Sequence, residues 1–449
     1  MRSIVMFVVI GALLVPTGGS TATAGTPDNF RPKAGANFNN PTGDRDARRG
    51  IYRRIIRSVD SAPKGSTIKF FTWNFLTSQG TDVLLRAQRR GVTVRLIMDA
   101  SNNRDEVGNP PFRRLRSGLH QGNKAKPKRP NSWAKTCQNS CRGPGGAAHA
   151  KFFMFSEVGK KAKKVVMQGS ANFTLASTNN QWNDTVTHVN HKGVWKFYNK
   201  VFGQAAKDKK RKSPLAKETF KGFTLYMFPL GGRERQDPVM KLLKQVKCRG
   251  AKNTASHRTV IRIAPDVIRN PRGMALARKV RGLWNAGCDI RIGYTVLGID
   301  VGRYLRSSDG RGPVPMKHLV QDFDGDGRFD NYFHLKAMTV VGHVGNDRSD
   351  HVVLNGSANW SGLGKVSDEN IGVYRRKQLT LRYQNHLNYW YNNFPSDRSR
   401  SARSSTAAQR AAAQEGELVF GSGPNAVYED GTPYSLTGVD PYANLDVLD

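Results

Sequence analysis

The sequence predicts an α/β fold of two similar lobes, each a largely parallel β-sheet flanked by helices, on three observations. Apolar, β-branched segments alternate with amphipathic segments, as expected of strands joined by helical crossovers. The same order of elements occurs once in each half of the chain. With 449 residues, the chain is long enough for two lobes that each bury a core.

Both halves predict helices and strands in the same order. The first half predicts helix 45–59, strand 67–71, helix 82–90 and strand 92–98; the second predicts helix 239–246, strand 259–264, helix 273–286 and strand 289–294. Gly91 and Gly287 follow the second helix of each half, where a left-handed residue commonly ends a helix. Hairpins are then predicted over 149–155 with 165–170 and over 334–341 with 351–357, and a helix closes each half, over 194–206 and 379–392.

The two chain ends predict segments outside the lobes. Residues 1–24 resemble a secretory signal peptide, with basic Arg2, an apolar run over 4–15 and a small-x-small site ending at Ala24. The run is too short to span a bilayer, so we expect a secreted, extracellular protein without a transmembrane segment in its mature chain; an uncleaved anchor is the alternative. The predicted lobes cover 25–215 and 216–395, followed by a linker and acidic tail over 396–449.

Four cysteines indicate two disulfides, because an exported protein with an even number of cysteines commonly pairs them. Position in the chain favours Cys137–Cys141 and Cys248–Cys288, since each pair then lies within one lobe, and the other two pairings stay open. A zinc site is the competing interpretation. The second pair is far apart and no histidine spacing supports such a site.

The net charge of +37, from 71 basic and 34 acidic residues, points to an anionic partner. This charge exceeds what solubility requires, and it favours nucleic acid, anionic lipid or a cell-wall polyanion. The basic stretch 123–135, which contains Trp133, favours peripheral contact with a membrane surface or stacking on a base; a solvated loop is the alternative. We expect a monomer.

Two copies of one short motif carry the chemistry. The first copy is His149-Ala150-Lys151 with Gly169-Ser170-Ala171-Asn172, and the second is His334-Leu335-Lys336 with Gly356-Ser357-Ala358-Asn359. Side chains two residues apart on a strand point to the same face, so the histidine and lysine of each copy project together. One copy alone would be unremarkable sequence. Two copies in the same order predict a shared site.

These residue types suit a phosphodiester substrate. Lysines and asparagines stabilise the charge that spreads over the equatorial oxygens in the transition state. One imidazole can attack phosphorus while the other protonates the leaving oxygen, and no metal is required because the lysines supply positive charge. The predicted catalytic residues are His149, Lys151, Asn172, His334, Lys336 and Asn359, with Ser170 and Ser357 as substrate-binding residues.

The paired motifs resemble the phospholipase D superfamily, whose pattern is H-x-K-x-x-x-x-D followed by G-S-x-N, twice per chain. The resemblance covers roughly residues 36–395. It implies two lobes related by pseudo-twofold symmetry, one active site at the lobe interface and a covalent phosphohistidine intermediate. It also implies that His149 is the nucleophile and His334 the acid.

The chain departs from this pattern in two respects. Ser156 and Val341 stand where the motif aspartates are expected. In the family, a downstream acid braces a catalytic imidazole, and Glu369 is the candidate in the second half. Trp182 takes the equivalent place in the first half, where Asp184 could substitute only with a shift. Because the second half alone keeps a clear acid, the residues themselves favour a braced His334. We group Glu369 with the substrate-binding residues.

A carboxylate-rich segment before the second motif predicts a structural calcium site. Asp322, Asp324, Asp326 and Asp330 occupy loop positions 1, 3, 5 and 9, with glycine at position 6. The bidentate glutamate usual at position 12 is replaced by Phe333. The alternative is a turn rich in aspartate and glycine.

The sequence therefore predicts a secreted phosphodiesterase, with an anionic phosphodiester as its substrate and partner. The leading function is that of a phospholipase D, which hydrolyses phospholipid to phosphatidate and a free alcohol. A metal-independent endonuclease is the first alternative, because a phosphate-tracking surface also needs strong positive charge. A non-catalytic, anion-binding homologue is the second.

Overall fold

A computed structural model describes residues 30–104, 108–269, 271–323, 328–395 and 420–421. The predicted signal peptide lies outside these residues, as does the predicted tail except for Phe420–Gly421. Both stay predictions, as do the lobe bounds. No helix within the described ranges is long and apolar enough to cross a membrane.

The first half of the chain contains ten strands and six helices among its described residues. The strands are β1 (Gly35–Phe38), β2 (Thr67–Phe71), β3 (Phe75–Leu76), β4 (Thr93–Asp99), β5 (Trp133–Cys137), β6 (Phe152–Val158), β7 (Ala162–Gly169), β8 (Phe173–Thr174), β9 (Gln181–Trp182) and β10 (Asp184–His188). The helices are α1 (Arg45–Arg48), α2 (Gly50–Asp60), α3 (Ser78–Arg90), α4 (Pro110–Ala125), α5 (Ala176–Asn179) and α6 (Lys192–Ala205), with a 3₁₀ turn at Ala100–Asn103.

The second half repeats this arrangement. Its strands are β11 (Ala216–Phe220), β12 (Phe223–Met227), β13 (Val246–Lys247), β14 (Val260–Ala264), β15 (Val267–Ile268), β16 (Asp289–Tyr294), β17 (Val296–Leu297), β18 (Met316–His318), β19 (Val320–Gln321), β20 (Arg328–Phe329), β21 (Asn331–Phe333), β22 (Ala337–Val344), β23 (Asp347–Gly356), β24 (Asn370–Arg375) and β25 (Phe420–Gly421). Its helices are α7 (Pro238–Gln245), α8 (Arg272–Asn285), α9 (Ile299–Arg306), α10 (Gly362–Val366) and α11 (Lys377–Asn393), with a 3₁₀ turn at Glu234–Gln236.

The two main sheets share one strand order. The first is β1-β10-β7-β6-β2-β4-β5, and the second is β11-β12-β24-β23-β22-β14-β16-β18, with β13 added beside β22. With β11 and β13 set aside, the strands of the two sheets correspond one to one. The predicted α/β class and the internal repeat are thus present in the fold.

Each sheet is mixed, and the expectation of largely parallel sheets was wrong. Among the described strands of these sheets, parallel pairing joins β2, β4 and β5 in one half and β14, β16 and β18 in the other. The motif hairpins β6–β7 and β22–β23 and the returning strands β10 and β24 all pair antiparallel. The reason is that crossover helices precede the hairpins but do not interrupt them.

An apolar core runs across the boundary between the halves. It combines Phe71 and Phe152 of the first sheet with Leu225 and Tyr374 of the second, and α6 and α11 pack against it. A packed core of this kind holds the strand ends of both halves in fixed relative positions. The functional side chains described below lie at those ends.

Two disulfides join Cys137 to Cys141 and Cys248 to Cys288, which confirms the favoured pairing. The zinc interpretation is wrong for these sulfurs, since each is bonded to another cysteine. The Cys141 amide also donates to Asp368 Oδ2 at 2.6 Å. This bond ties the first disulfide loop to the other half of the chain.

Candidate active site

The two motif histidines lie in extended segments just before strands β6 and β22. The hairpin strands start later than predicted, at Phe152 and Ala337, so His149 and His334 precede their sheets. Their side chains are nevertheless buried, with relative exposures of 1% and 2%. Both imidazoles therefore point into the protein at the boundary between the halves.

The glycine of each Gly-Ser-x-Asn turn is required by close backbone packing. A Cβ on Gly169 would lie 2.1 Å from the Asp184 carbonyl oxygen, and one on Gly356 would lie 1.9 Å from the Asn370 carbonyl oxygen. The next residue then donates its amide to the same carbonyl, from Ser170 at 3.1 Å and from Ser357 at 2.9 Å. These contacts bring strands β10 and β24 against the ends of β7 and β23.

Backbone pairing across the boundary decides which side chains meet. β9 pairs in parallel with β21, and the His334 amide donates to the Trp182 carbonyl at 3.0 Å. On the other side, the Asp368 amide donates to the Ala147 carbonyl at 2.9 Å. The residues that precede β10 therefore lie beside the segment that contains His334. Those that precede β24 lie beside the segment that contains His149.

Glu369 lies behind His149 and not behind His334. Its Oε1 is 2.8 Å from His149 Nδ1, and its Oε2 accepts from the Ser357 hydroxyl. The sequence had favoured a brace within the second half. That expectation was wrong because the strand pairing described above carries Glu369 across the boundary.

Asn183 holds His334 in the corresponding way. Its Oδ1 lies 2.8 Å from His334 Nδ1 and accepts from the Ser170 hydroxyl at 2.8 Å. Its Nδ2 donates to the Ser177 carbonyl at 3.1 Å, so the amide oxygen faces the imidazole and His334 Nδ1 carries the proton. The position equivalent to Glu369 is thus Asn183, and the assignment of Trp182 to it was off by one residue.

The two motif serines support the histidines. Ser170 and Ser357 are fully buried, and each hydroxyl is bonded to the side chain that holds an imidazole. Each also accepts from the amide at the start of the next strand, that of Asp184 or Asn370. Direct contact between these serines and a substrate stays a prediction, and the bonds in place favour a supporting role.

The motif lysines bring the two copies into one electrostatic cluster. Lys151 Nζ donates to the His149 carbonyl at 2.8 Å, and Lys336 Nζ donates to the His334 carbonyl at 3.1 Å. Burial lowers the pKa of both histidines well below 6.5, and Lys151 and Lys336 lower each of them further. Each lysine thus acts on the histidine of the other copy as well as its own.

Each motif asparagine is bonded to a residue of its own half of the chain. Asn172 Oδ1 accepts from the Thr72 hydroxyl at 3.3 Å, and the Asn359 carbonyl accepts from Arg272. Arg272 is itself held by Asp237, with its Nε 2.7 Å from Asp237 Oδ2. Both asparagines are buried, as are the motif histidines and lysines. The catalytic role of these six residues stays a prediction.

Sequence reasoning missed a carboxylate in this cluster. Asp266 Oδ2 lies 2.9 Å from Lys336 Nζ and 4.0 Å from His334 Nε2, and its side chain is buried. Burial raises the pKa of Asp266, an effect that Lys336 and Lys151 oppose. The sequence feature that could have identified Asp266 is its place just past the carboxyl end of a predicted strand, which is where α/β folds bind ligands.

Trp73 takes the place of Asp266 in the first half. Each lies two residues beyond a corresponding strand, β2 or β14, and both strands pair with the first strand of a motif hairpin. The Trp73 indole meets the His149 imidazole at a centroid separation of 5.9 Å, in an edge-to-face arrangement. The two histidines thus have different neighbours at equivalent positions.

The missing motif aspartates do not remove groups from the site. Ser156 lies well along β6, where its hydroxyl accepts from the Thr67 amide at 2.8 Å. Val341 is buried on β22 and pairs with Val260. Five residues of strand separate these positions from the motif lysines, a span of about 16 Å.

The calcium prediction is only partly covered by the described residues. Asp330 Oδ2 accepts from the Phe323 amide at 2.5 Å, which closes the two ends of the loop, but Asp324 and Asp326 lie outside the described ranges. Calcium binding by Asp322, Asp324, Asp326 and Asp330 therefore stays a prediction. Elsewhere in the described chain, the cluster with ligand-like spacing is Cys137, Cys141 and Asp208, whose sulfurs form a disulfide.

The basic stretch 123–135 is more structured than a loop. Trp133 begins β5 and stacks on Phe202 at a centroid separation of 5.7 Å, and Lys135 lies over its indole. This packing leaves the indole partly buried. The expectation that Trp133 would be available to a membrane or a base is therefore not supported by its contacts.

Comparison with known proteins identifies one family match. Residues 55–205 match the family model described as Cardiolipin synthase, PLD-like domain. No curated protein matches the chain.

Solved structures share the fold at low sequence identity. Polyphosphate kinase from Porphyromonas gingivalis aligns with a TM-score of 0.54 and 12% identity over 85% of this chain, which spans 56% of that protein's length. Phosphatidylserine synthase from Haemophilus influenzae aligns with a TM-score of 0.53 and 13% identity, over 85% of this chain and 93% of that one. Both likenesses show a common fold.

Proposed function

The chain belongs to the phospholipase D superfamily of phosphodiester-processing proteins, and we propose from that premise that it is a phosphodiesterase with a single active site. The observation that supports this most directly is the exchange of supporting residues between the two motif copies. His149 is held from the second half by Glu369, and His334 from the first half by Asn183. An active site that needs both copies requires this kind of arrangement.

In the proposed first step, His149 is the nucleophile. Its Nδ1 is bonded to Glu369, while its Nε2 has no hydrogen-bond partner among the described residues. Nε2 attacks phosphorus, the N–P bond forms, and the bond to the leaving oxygen breaks. The carboxylate of Glu369 then stabilises the positive charge that the ring gains in the phosphohistidine.

His334 is the proposed acid, and then the base. Its Nδ1–H is held by the Asn183 amide oxygen, so Nε2 faces the reacting atoms. The acid is the doubly protonated ring, the imidazolium, which gives its Nε2 proton to the leaving oxygen and becomes neutral. In the second step, water loses a proton to Nε2 and its oxygen attacks phosphorus. The N–P bond breaks, which returns both histidines to their starting states.

The lysines and asparagines are proposed to bind the non-bridging oxygens. Lys151, Lys336, Asn172 and Asn359 are all buried, and a contact to charge is stronger there than in water. Catalysis in this superfamily is generally independent of metal ions. The chemistry assigned here to the residues of this chain likewise needs none.

We propose a phospholipid as the substrate, hydrolysed to phosphatidate and a free alcohol. The matched family description names a cardiolipin synthase, which points to lipid chemistry. The depth of the histidines, exposed by 1% and 2%, favours a slim phosphodiester over a rigid duplex. A nuclease is the second candidate, favoured by the net charge of +37, and the same burial would restrict it to single strands.

One experiment separates these candidates. The purified protein is assayed with chelator present on phosphatidylcholine vesicles, single-stranded DNA and duplex DNA, beside a His149→Ala variant purified in the same way. We expect choline release from vesicles that the variant does not produce. Cleavage of DNA alone by the unmodified protein would identify a nuclease, and inactivity on all three would favour a non-catalytic homologue.

We also propose that the protein acts outside the cell. The two disulfides support an oxidising compartment. The signal-like sequence over 1–24 supports export, and N-terminal sequencing of the exported protein should then start at Gly25. A protein that keeps its first 24 residues would contradict this proposal.

A further inference from the structure

Asp266 has no role in the mechanism above, although its carboxylate lies among the reacting groups. A single oxygen, Oδ2, is 2.9 Å from Lys336 Nζ and 4.0 Å from His334 Nε2. In the proposed mechanism, Lys336 binds a phosphate oxygen and His334 Nε2 faces the leaving oxygen. Asp266 Oδ2 therefore occupies a position that a substrate oxygen needs.

The backbone of Asp266 has a conformation that is uncommon for residues other than glycine. Its φ is 60°, in the left-handed region. The amides of Thr295 and Val296 both donate to its carbonyl oxygen, each at 2.9 Å. Such conformations persist only where surrounding contacts impose them, and they concentrate at functional sites.

The repeat shows that the fold does not require a carboxylate at this position. Trp73 occupies the equivalent place in the first half, and an indole cannot form an ion pair with a lysine. Burial of both Asp266 and Lys336 means that water screens their attraction weakly. A phosphodiester that enters beside an ionised Asp266 would meet a like charge at contact distance, also with little screening.

We propose that Asp266 is an internal counter-ion that holds the place of a substrate oxygen and must take up a proton when a phosphodiester binds. The charged and titratable groups that face it are Lys336, Lys151 and His334. On binding, a proton from solvent moves to the Asp266 carboxylate, and Lys336 keeps its own proton while it passes from the carboxylate to a phosphate oxygen. This inference deepens the proposed function. It rests on the proposed binding of phosphate oxygens by Lys151 and Lys336, the lysine clamp, and it does not depend on turnover.

The proposal makes oxyanion affinity depend on pH. Affinity is complete below the pKa of Asp266 and falls as pH rises through it, by about tenfold for each further pH unit for uptake of one proton. Burial keeps the pKa of His149 and of His334 well below 6.5, so neither histidine titrates between neutral and alkaline pH. The part of this pH dependence that is lost when Asp266 is replaced therefore reports on Asp266.

The test measures tungstate binding by calorimetry on the full chain from neutral to alkaline pH. Tungstate is a tetrahedral dianion whose charge is constant over this range. The Asp266→Asn variant should bind it more tightly at the alkaline end, on the order of tenfold or more, and should lose most of the pH slope. Asparagine tolerates left-handed backbone, and Asp266→Gly is a second variant that also fits that conformation.

Two further variants make the result specific. Asp289→Asn removes a carboxylate that pairs with Arg262 at 2.9 Å, at the opposite end of β14, and should leave tungstate affinity unchanged. Lys336→Met should abolish binding. Thermal melts of all variants establish that each one is folded.

Each outcome bears on a different claim. Equal affinity and equal pH slope in the unmodified protein and both Asp266 variants would overturn the proposed role of Asp266. If Lys336→Met still lost binding in that case, the proposal of a lysine clamp would stand. If neither the unmodified protein nor Asp266→Asn bound tungstate, the proposal of a lysine clamp would be wrong. This inference and the proposed function would then both be overturned.

Discussion

The surroundings of His149 and His334 differ more than the repeated strand order suggests. Behind His149, at Nδ1, lies the carboxylate of Glu369, whereas an amide, Asn183, lies behind His334. A carboxylate stabilises a ring that gains positive charge, and an amide fixes only its tautomer. The repeat therefore provides two imidazoles of one geometry, and the supporting residue makes one of them the better nucleophile.

A second difference between the two histidines is a carboxylate near His334 that His149 lacks at the equivalent position. Trp73 packs against His149, whereas Asp266 lies near Nε2 of His334. Each histidine thus has one carboxylate nearby, but the two carboxylates lie on different sides of their rings. This difference teaches that a duplicated fold can keep its backbone while its two copies take different chemical roles. The four predictions that follow test this comparison.

The largest expected effect separates the two histidines. His149→Ala should lower turnover by about 10⁴-fold or more, because the nucleophile itself is lost. With a substrate whose alcohol leaves without a proton, His334→Ala should still permit one round of phosphohistidine formation, and His149→Ala should not. Trapping of the phosphoenzyme measures this.

The control is His343→Ala, which removes a histidine near the far end of β22 whose Nδ1 contacts the Arg249 carbonyl. It should leave both measurements unchanged. Trapping in His149→Ala but not in His334→Ala would reverse the assigned roles.

Removal of the charge behind His149 should give the next largest effect. Glu369→Gln keeps the shape of the side chain but loses the carboxylate, so phosphohistidine formation should slow by about 10²-fold or more. Rapid-quench measurement of that step reports the effect directly. Glu218→Gln, on exposed strand β11, is the matched control, and an equal rate in Glu369→Gln and this control would refute a charge-stabilising role.

Loss of either motif lysine should lower turnover, and loss of Lys336 should also lower stability. Lys151→Met and Lys336→Met should each lower turnover by ~10² or more through loss of a preorganised charge. Lys336→Met also leaves Asp266 buried without its partner, which should lower the free energy of unfolding by about 3 kcal/mol. The double variant Lys336→Met/Asp266→Asn should recover stability but not activity.

Chemical denaturation of Lys336→Met beside the unmodified protein measures the stability difference. An unfolding midpoint for Lys336→Met equal to that of the unmodified protein would show that the pair between Lys336 and Asp266 contributes nothing to folding. Normal turnover in either lysine variant would refute the lysine clamp.

The smallest expected effect comes from making the two histidines alike. Asn183→Asp places a carboxylate behind His334, which should raise the pKa of that histidine from its lowered value. An acid must be protonated to act, so the rate falls as pH rises through this pKa. The alkaline limb of the kcat profile should therefore move to higher pH by about one unit, and an unmoved limb in a folded variant would contradict His334 as the acid.

Local pattern was sufficient for much of the fold. Strands β2 and β16 span the predicted residues, because apolar runs bounded by turn residues mark their own ends. The helix predicted over 45–59 is instead two helices, α1 and α2, that meet at Arg49. The motif histidines were predicted inside strands, yet their segments bond across the boundary, as with the Lys151 amide and Asn370 Oδ1 at 2.7 Å.

The sequence by itself determined the α/β class and the duplicated motif, since these depend on residue types and spacings along the chain. It favoured the disulfide pairing that the structure then confirmed. The tertiary structure decided which residue holds which histidine and placed Asp266 beside Lys336. Glu369 and His149 are separated by 220 residues, and Asn183 and His334 by 151. Their contacts follow from strand pairing across the boundary between the halves. No local pattern specifies that pairing, because backbone hydrogen bonds between distant segments form only once the shared core has brought those segments together.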